Sequence, residues 1–316
     1  MNAKEIQIPT HWGHIAGKWW GNENQRPLLA MHGWQDNAAT WDTLIPLLPN
    51  DCSVLSIDFP GHGLSSWYPK GMAYHPWDWI RVIKHIKEHF KWDKVSLLAH
   101  SMGSIASMRY ASIYPECVDF YIGIDNIIMD KMKPQYLIKK LPNAIGKLDI
   151  EQGRLDTEPP SYTYEQAIQL LHEGTGKSVS LEAAPYLINR GTKQSKKDSN
   201  KFYFSRDSRL KYILFVPEDK DFVKTLALCM KTPSLFFKTS DPRFGGDEFS
   251  LEIRDIIVKN NPNFEIHNVK GTHHTHLNTP ELMVCRYLPL TDLNPRYYYS
   301  FCLVIRLTHA KLVTLS

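Results

Sequence analysis

Short apolar runs alternate along this chain with segments of helical periodicity. The runs have the length of β-strands and occupy residues 28–31, 54–57, 95–100, 120–124, 234–238 and 264–268. Strands that alternate with helices along a chain are typical of a parallel sheet covered by helices on both faces. The pattern therefore predicts an α/β fold with a mostly parallel central sheet.

Two further patterns extend this prediction. Residues 6–8 and 14–19 precede the first run and favour an antiparallel hairpin at one edge of the sheet. After the sixth strand the strand pattern stops, and helical patterns replace it. An insertion of this size is typical of a helical cap that lies over a site at the carboxyl edge of the sheet. The predicted organisation is a discontinuous core of residues 1–128 and 208–284, a helical cap of residues 129–207 and an atypical C-terminal tail of residues 285–316.

Composition changes this picture little. The 316 residues are 43% hydrophobic and 22% charged, which is typical of a globular protein with a sizeable core. The formal net charge of +4 is mild, and the densest basic run, residues 193–201, has the pattern of a solvated loop, so no nucleic-acid binding is expected. The five cysteines are odd in number and widely spaced, which argues against a disulfide framework and a cysteine metal site.

Targeting signals are not apparent in the sequence. The first residues lack the apolar segment of a secretory signal, and no run of about 18 apolar residues could span a bilayer. The last residues, 314–316, do not form a peroxisomal address. We therefore expect a cytoplasmic protein without stable membrane insertion.

The turn after the third apolar run carries the strongest chemical signal. Ala99-His100-Ser101-Met102-Gly103 ends this run and opens a helical pattern. This order of strand, serine and helix is that of a nucleophile elbow, in which small flanking residues let strand and helix approach closely. Such a turn projects the Ser101 hydroxyl from the sheet edge and directs the N–H of Met102 toward the reacting carbonyl. Alternation along the strand predicts that His100 points away from Ser101.

A second turn lies at a matching position earlier in the chain. His32-Gly33-Trp34 directly follows the run at residues 28–31. A His-Gly turn after a strand is where an enzyme with such an elbow builds the other half of its oxyanion hole. The predicted donors are the N–H groups of Trp34 and Met102, and one such donor typically lowers the barrier by roughly 3 kcal/mol.

Five motifs carry a family resemblance. They are H-G-W-Q-D-N from His32, D-F-P-G-H-G-L-S from Asp58, A-H-S-M-G from Ala99, F-S-R-D-S-R-L from Phe204 and G-T-H-H-T-H-L-N-T-P-E from Gly271. Over residues 5–284 the chain resembles the α/β-hydrolase superfamily and, within it, the serine hydrolase-like protein group. The resemblance implies an α/β-hydrolase fold and a capped serine hydrolase that is cytosolic or associated with vesicles or peroxisomes. It does not supply a substrate.

Three late histidines are candidates for the general base that a serine nucleophile needs. They are His273, His274 and His276. In hydrolases of this architecture the base lies seven residues before the proline that begins the final helix, so Pro280 indicates His273. His274 is then expected at the pocket wall. Three histidines this close could also bind a metal, but no matching Asp or Glu pattern lies near them in the sequence, so no metal site is predicted.

The acid of the expected triad has two candidates. The chain order Ser, Asp, His requires a carboxylate between the nucleophile and the base, at the carboxyl end of a strand. Asp125 ends the sixth strand, and Asp241 follows the seventh. The seventh-strand position is the commoner one in the superfamily, but the usual Gly-x-x-Asp turn is absent before Asp241. The pattern of the serine hydrolase-like group favours Asp125, and Asp241 remains the alternative.

These features predict a serine hydrolase that cleaves a carboxylic ester or related acyl group. Ser101 would attack a small apolar acyl substrate with His273 as base, and no cofactor or metal is needed. A serine at the elbow excludes dehalogenase and epoxide hydrolase chemistry, which need aspartate there, but leaves carbon–carbon hydrolases and haloperoxidases open. Five tryptophans suit either an apolar substrate group or the core: Trp34, Trp41, Trp67, Trp77 and Trp79.

The alternative is a hydrolase-fold protein that binds a ligand or partner without turnover. It is suggested by the two competing acids and by the tail. Pro289 and Pro295 interrupt any terminal helix there, and an apolar, β-prone run follows at residues 297–305.

Overall fold

The computed structural model describes residues 2–129, 134–212 and 218–284. Its strands are β1 (Ala3–Thr10), β2 (Gly13–Trp20), β3 (Leu28–Met31), β4 (Val54–Ile57), β5 (Val95–His100), β6 (Val118–Ile124), β7 (Thr192–Gln194), β8 (Phe202–Phe204), β9 (Ser234–Thr239) and β10 (Phe264–Val269). Eight of them form one sheet in the order β1-β2-β4-β3-β5-β6-β9-β10. β1, β2 and β4 pair antiparallel, and every pair from β4 to β10 is parallel. The predicted parallel sheet and its edge hairpin are confirmed.

Helices connect these strands. They are α1 (Asp78–His89), α2 (Met102–Ile113), α3 (Pro134–Gly153), α4 (Tyr164–Gly174), α5 (Ala184–Gly191), α6 (Lys220–Cys229), α7 (Glu248–Asn260), α8 (Thr275–Asn278) and α9 (Glu281–Val284). Short 3₁₀ turns lie at Ala38–Trp41, Ile45–Leu47, Pro115–Cys117 and Ser208–Tyr212. None of the helices within the described residues combines the length and the apolarity that crossing a membrane requires.

Both faces of the sheet are buried. Since successive residues of a strand point to opposite faces, each strand contributes side chains to two cores. In β3, Leu29 and Met31 pack into a core with residues of α1, α2, α6 and α7. Leu28 and Ala30 pack into a second core on the other face, with the 3₁₀ turns at Ala38–Trp41 and Ile45–Leu47 and with α9. This arrangement explains why the strands are continuous apolar runs rather than alternating ones.

The segment between β6 and α6 lies outside the main sheet and contains α3, α4 and α5, as the predicted helical cap requires. It also contains a two-stranded antiparallel ribbon of β7 and β8, which the sequence analysis did not predict. The basic run at residues 193–201 therefore begins in a strand rather than forming only a loop. The predicted boundaries of core and cap stay predictions, and the predicted tail, residues 285–316, lies outside the described residues.

An internal ion pair connects the cap to the core. Arg190, near the end of α5, donates from Nε to Oδ2 of Asp58 at 2.9 Å, and both side chains are buried. The same carboxylate accepts the N–H groups of Ala38 at 2.7 Å and Leu64 at 2.9 Å. One buried aspartate in the D-F-P-G-H-G-L-S motif thus holds the cap and two loops at the carboxyl edge of the sheet.

Gly103 marks the closest approach of α2 to β3. A Cβ atom at this position would lie 2.6 Å from the carbonyl oxygen of Met31 and 2.8 Å from that of His32. Because both contacts are to backbone, no side-chain rotation relieves them. We expect Gly103→Ala to lower the free energy of unfolding by about 1–3 kcal/mol, as overpacking does, and we would measure this by urea denaturation.

Gly146→Ala is the matched control for this prediction. Gly146 lies in α3, and nothing lies within 4 Å of an added Cβ there. Alanine favours a helix over glycine, so this variant should be as stable as the wild type or slightly more so. Equal stability of the two variants would contradict the proposed close approach.

Candidate active site

Ser101 occupies a strained turn between β5 and α2. Its backbone has φ 51° and ψ −113°, a conformation that costs energy in any residue with a side chain. The turn is held from two sides. The N–H of Ser101 donates to the carbonyl of Ile124 at 3.0 Å, and the N–H of Gly103 donates to the carbonyl of His32 at 3.2 Å. The strain therefore persists because the adjacent strands fix the backbone.

The turn opens into a cavity of about 420 Å³ beneath the cap. Ser101 and His273 both line this cavity, together with Trp34 and Met102. Apolar walls come from the core and from α4 of the cap: Trp79, Ile105, Met129, Leu170, Leu171 and Phe244. The structure thus brings the predicted nucleophile, the predicted base and both predicted oxyanion residues to one cavity.

His273 is paired with Asp125 at the back of this cavity. Nδ1 of His273 lies 2.5 Å from Oδ2 of Asp125, whose side chain is fully buried. The other carboxylate oxygen accepts from the N–H of Thr239 at 3.1 Å, from its hydroxyl at 2.7 Å and from Nζ of Lys238 at 2.6 Å. Asp125 itself adopts φ 69° at the end of β6. The carboxylate is therefore fixed in position, with one oxygen facing the imidazole.

Asp241 lies near the same histidine but contacts a different part of it. Its Oδ2 accepts from the backbone N–H of His273 at 3.1 Å and pairs with Nη2 of Arg243 at 2.6 Å. The hydrogen bonds from Arg243 hold the pKa of Asp241 well below its ordinary value. Asp241 thus positions the loop that carries His273, whereas Asp125 contacts the imidazole ring.

The pKa shifts of the pair reflect burial and mutual contact. Burial lowers the pKa of His273 to about 3, and the hydrogen bond that His273 donates to Asp125 only partly opposes this. Burial alone would raise the pKa of Asp125, but the hydrogen bond from His273 and the contacts with Lys238 and Thr239 outweigh it and lower that pKa. The resting state is a neutral imidazole beside an ionised carboxylate, which is the state that a general base needs.

The His32-Gly33-Trp34 turn packs directly against the elbow. A Cβ atom at Gly33 would lie 3.3 Å from Cβ of Ser101. Met102 is the first residue of α2, and the first N–H groups of a helix have no partner within the helix. The indole N–H of Trp34 donates to the carbonyl of Leu210 at 3.1 Å, which anchors this turn below the cap. The oxyanion roles of Trp34 and Met102 stay predictions, with this proximity in their support.

A buried polar cluster that was not predicted from the sequence lies beside His273. It consists of Asp36, His100 and His274, whose possible ligand atoms all lie within 4.8 Å of one another. Oδ2 of Asp36 is 3.3 Å from Nε2 of His274 and 3.7 Å from Nδ1 of His100. Burial alone would raise the pKa of Asp36, but the neighbouring imidazoles of His274 and His100 outweigh it and hold that pKa well below its ordinary value.

Within the described part of the chain, these three residues form the group that could hold a metal ion. Two imidazoles and a carboxylate are a common donor set for divalent transition metals. No such set was visible near the late histidines in the sequence because Asp36 comes from a distant loop. The only early signal was Asp36 itself within the H-G-W-Q-D-N motif.

His100 corrects one sequence argument. Alternation along β5 predicted that it points away from Ser101, yet it lines the same cavity, and its Nε2 donates to the carbonyl of His273 at 2.8 Å. Because the backbone leaves the extended conformation at Ser101, the alternation of β5 does not continue through this residue. His274 lines the cavity as predicted, whereas His276 is buried and contacts the hydroxyl of Thr40 at 2.9 Å.

The five tryptophans divide between the cavity and the core. Trp34 and Trp79 line the cavity. Trp41 is fully buried against His276, Trp67 donates to the carbonyl of Ser205, and Trp77 packs on Phe222. Of these five tryptophans, Trp34 and Trp79 are the ones that could contact a substrate in that cavity.

Buried histidines make the stability of this protein sensitive to mild acid. Burial lowers the pKa of His32 to about 4 and the pKa values of His62 and His273 to about 3. In the unfolded chain each titrates near 6.5, so below that pH the unfolded state binds protons that the folded state does not. The stability that the folded state gains by keeping these histidines neutral is fully present above pH 6.5, and it is lost as the pH falls toward 4. Between pH 7.5 and 5.5 we expect each to cost about 1 kcal/mol.

Urea unfolding at pH 7.5, 6.5 and 5.5 measures this effect. The free energy of unfolding should fall by about 3–4 kcal/mol over the range. His75→Gln serves as the control, because His75 is exposed and its loss should leave the pH dependence unchanged. The same stability at pH 7.5 and 5.5 would show that these histidines are not held neutral.

Comparisons with known proteins agree with the fold. A family model described as the alpha/beta hydrolase fold matches residues 26–149. A probable serine hydrolase of Drosophila melanogaster is 33% identical over 280 residues, which cover 88% of this chain and 84% of that protein. A serine hydrolase-like protein of Danio rerio is 31% identical over 88% of this chain and 85% of that protein.

Among solved structures, a hypothetical protein of Pseudomonas aeruginosa PAO1 superposes with a TM-score of 0.74 at 26% identity. It covers 88% of this chain and 95% of its own. A thioesterase domain from the curacin biosynthetic pathway has a TM-score of 0.71 at 16% identity, covers 89% of this chain and 97% of its own, and shows the shared fold alone.

Proposed function

Because this chain belongs to the serine hydrolase-like group of the α/β-hydrolase family, we propose that it cleaves a carboxylic ester or related acyl substrate through an acyl-enzyme on Ser101. The observation that carries the proposal is the contact of His273 with the buried carboxylate of Asp125, on the wall of the cavity into which Ser101 opens. A neutral, oriented imidazole that lines the same cavity as a strained serine is the arrangement that acyl transfer needs.

The reaction proceeds in two halves. The hydroxyl oxygen of Ser101 attacks the acyl carbonyl while Nε2 of His273 takes the hydroxyl proton and then delivers it to the departing alcohol. Water then enters, gives a proton to His273 and attacks the acyl carbonyl; the bond to the Ser101 oxygen breaks as His273 returns the proton to that oxygen, and the acid is released. Asp125 holds Nδ1–H of His273 and stabilises the imidazolium that forms in both halves.

The oxyanion is stabilised by backbone dipoles. In this mechanism the N–H groups of Trp34 and Met102 donate to the alkoxide that develops on the carbonyl oxygen. Both residues line the cavity, and the turn of Gly33 lies against the serine. Fixed donors in a partly dry site need no reorganisation during the reaction, which makes them effective.

The cavity favours a small or medium acyl group. Apolar side chains of the core and of α4 form much of its lining, including Ile105, Leu171 and Phe244. A pocket with apolar walls and a few convergent polar groups is typical of a site for small organic molecules. We therefore propose 4-nitrophenyl esters of short and medium acids as first substrates.

A substrate panel with detection of the acyl-enzyme tests this function. Esters of acetate, butyrate and octanoate, and the matching thioesters, would be assayed for turnover, with rapid quenching and intact-mass analysis of the protein. We expect a mass increase equal to the acyl group on the wild type and none on Ser101→Ala. Binding of the esters without turnover or adduct would refute the proposal and favour the non-catalytic alternative.

A further inference from the structure

The S-R-D segment, residues 205–207, contains one side chain whose buried Nε has no hydrogen-bond partner among the described residues. The hydroxyl of Ser205 donates to the carbonyl of Gly63 at 2.9 Å. Asp207 accepts from Nη2 of Arg209 at 2.6 Å and from the hydroxyl of Tyr74 at 2.7 Å. These contacts fix the backbone on both sides of residue 206. The side chain between them is therefore presented from a rigid position.

That side chain, Arg206, lines the cavity of Ser101. Its guanidinium lies over the ring of Phe204, with 4.4 Å between Cζ and the ring centroid. Its Nε is buried and finds no hydrogen-bond partner in the part of the chain that the structure describes. Asp36 is the nearby carboxylate whose charge acts on it, but Asp36 pairs with His274 and forms no ion pair with Arg206 in the described structure.

Arg206 is half-buried, whereas three fully buried arginines all have carboxylate partners. Arg109 pairs with Glu218, Arg190 with Asp58 and Arg209 with Asp207. A guanidinium has five donors and stays charged, so burying it without acceptors is costly. Burial lowers the pKa of Arg206 to about 10, which leaves it a cation at neutral pH. A cation that faces a cavity and lacks an acceptor is suited to an anionic ligand.

We infer that Arg206 binds an anionic group of the substrate, and that the acyl chain of the preferred ester ends in a carboxylate. This inference rests on the proposed function, because it places the carboxylate in the cavity that Ser101 opens into. A planar guanidinium matches a carboxylate through two parallel hydrogen bonds, which gives orientation as well as affinity. The apolar walls then contact the methylene chain between the carboxylate and the scissile carbonyl.

Matched esters separate charge from shape. Mono-4-nitrophenyl glutarate has a terminal carboxylate, and 4-nitrophenyl 5-methylhexanoate replaces it by an isopropyl group of the same branching. We expect kcat/KM of the wild type to be higher for the glutarate ester by on the order of 30-fold, the range of a hydrogen bond to a charged group. Arg206→Met should remove this preference and leave turnover of the neutral ester within about threefold.

A second pair of esters locates the anion within the substrate. 4-Carboxyphenyl butyrate carries the charge on the leaving group, and 4-acetylphenyl butyrate is its neutral counterpart. The inference expects no preference within this pair. A preference that depends on Arg206 here, and not in the glutarate pair, would overturn the acyl assignment and place the anion site on the leaving-group side.

Stability gives a readout that does not depend on turnover. Free glutarate should raise the melting temperature of the wild type and not that of Arg206→Met. Arg206→Met should itself be no less stable than the wild type, because it removes a half-buried charge that has no ion-pair partner among the described residues. Arg154→Gln is the matched control: Arg154 is an exposed arginine after α3, and its loss should alter neither readout.

The outcomes distinguish this inference from the proposed function. Equal kcat/KM for the glutarate and 5-methylhexanoate esters, with no stabilisation by glutarate, would overturn the anion site and leave the hydrolase intact. Stabilisation by glutarate that needs Arg206, without turnover of any ester, would support the anion site and refute the hydrolase. If a folded Arg206→Met variant loses kcat/KM by the same factor for both esters, Arg206 has a structural role instead.

Discussion

Ser101→Ala is expected to lower kcat/KM for 4-nitrophenyl butyrate by about 10⁴- to 10⁶-fold, with the fold unchanged. The large effect follows because, of the described hydroxyl residues that line the cavity of His273, only Ser101 lies in a strained turn, at φ 51°. Residual activity would come from binding and from the oxyanion donors acting on water. Steady-state kinetics and labelling by a fluorophosphonate probe measure both the loss and its site.

Ser107→Ala is the matched control for this variant. Ser107 lies in the same helix, α2, and its buried hydroxyl donates to the carbonyl of Gly103 at 2.7 Å. Its removal changes helix packing near the elbow but leaves the proposed nucleophile in place. We expect this variant to be labelled and to turn over substrate like the wild type. Undiminished labelling of Ser101→Ala, or an equal loss in Ser107→Ala, would rule out the assignment of the nucleophile.

Asp125→Asn is expected to lower kcat by about 10⁴-fold, whereas Asp241→Asn should lower it by at most about 10-fold. The difference follows from which atoms of His273 each carboxylate contacts. Asp125 faces Nδ1 of the ring, so an amide there can reverse the tautomer and removes the charge that stabilises the imidazolium. Asp241 accepts the backbone N–H of the same residue, and an asparagine retains an acceptor oxygen at that place.

Kinetics of both variants with one ester, and thermal unfolding of each, would decide between the two acids. The melting temperatures matter because Asp125 also accepts from Lys238 and Thr239, and its replacement disturbs those contacts. A folded Asp125→Asn variant with near-normal kcat, beside an inactive Asp241→Asn, would reverse the assignment. Similar small losses in both would indicate that His273 needs no buried carboxylate partner.

Local patterns were enough to predict the framework of this molecule. The strand pattern of residues 28–31, 54–57 and 95–100 was confirmed because an apolar run of that length, bounded by turns, has few alternatives in a buried parallel sheet. The elbow around Ser101 was likewise predictable, since the strained turn depends on small residues that are adjacent in the sequence. The ribbon of β7 and β8 was not predicted, because three-residue strands carry too little periodicity.

Local sequence patterns could not decide whether Asp125 or Asp241 is the acid partner of His273. Both aspartates end neighbouring strands, β6 and β9, and the order β5-β6-β9-β10 brings both ends beside the loop of His273. Which carboxylate meets the imidazole ring, and which meets its backbone, depends on differences of a few ångströms. The cluster of Asp36, His100 and His274 was hidden for a related reason, because its members come from three separate loops or strand ends.

The sequence by itself therefore determined the fold, the family resemblance and the identity of the nucleophile and base candidates, because these depend on short-range periodicity and on turn chemistry. Only the tertiary structure decided which buried charges are paired. It gave Arg109, Arg190 and Arg209 carboxylate partners and left Arg206 facing the cavity without one. The physical reason is that charge pairing inside a protein is set by contacts between residues distant in the chain, and burial makes each such contact, or its absence, energetically important.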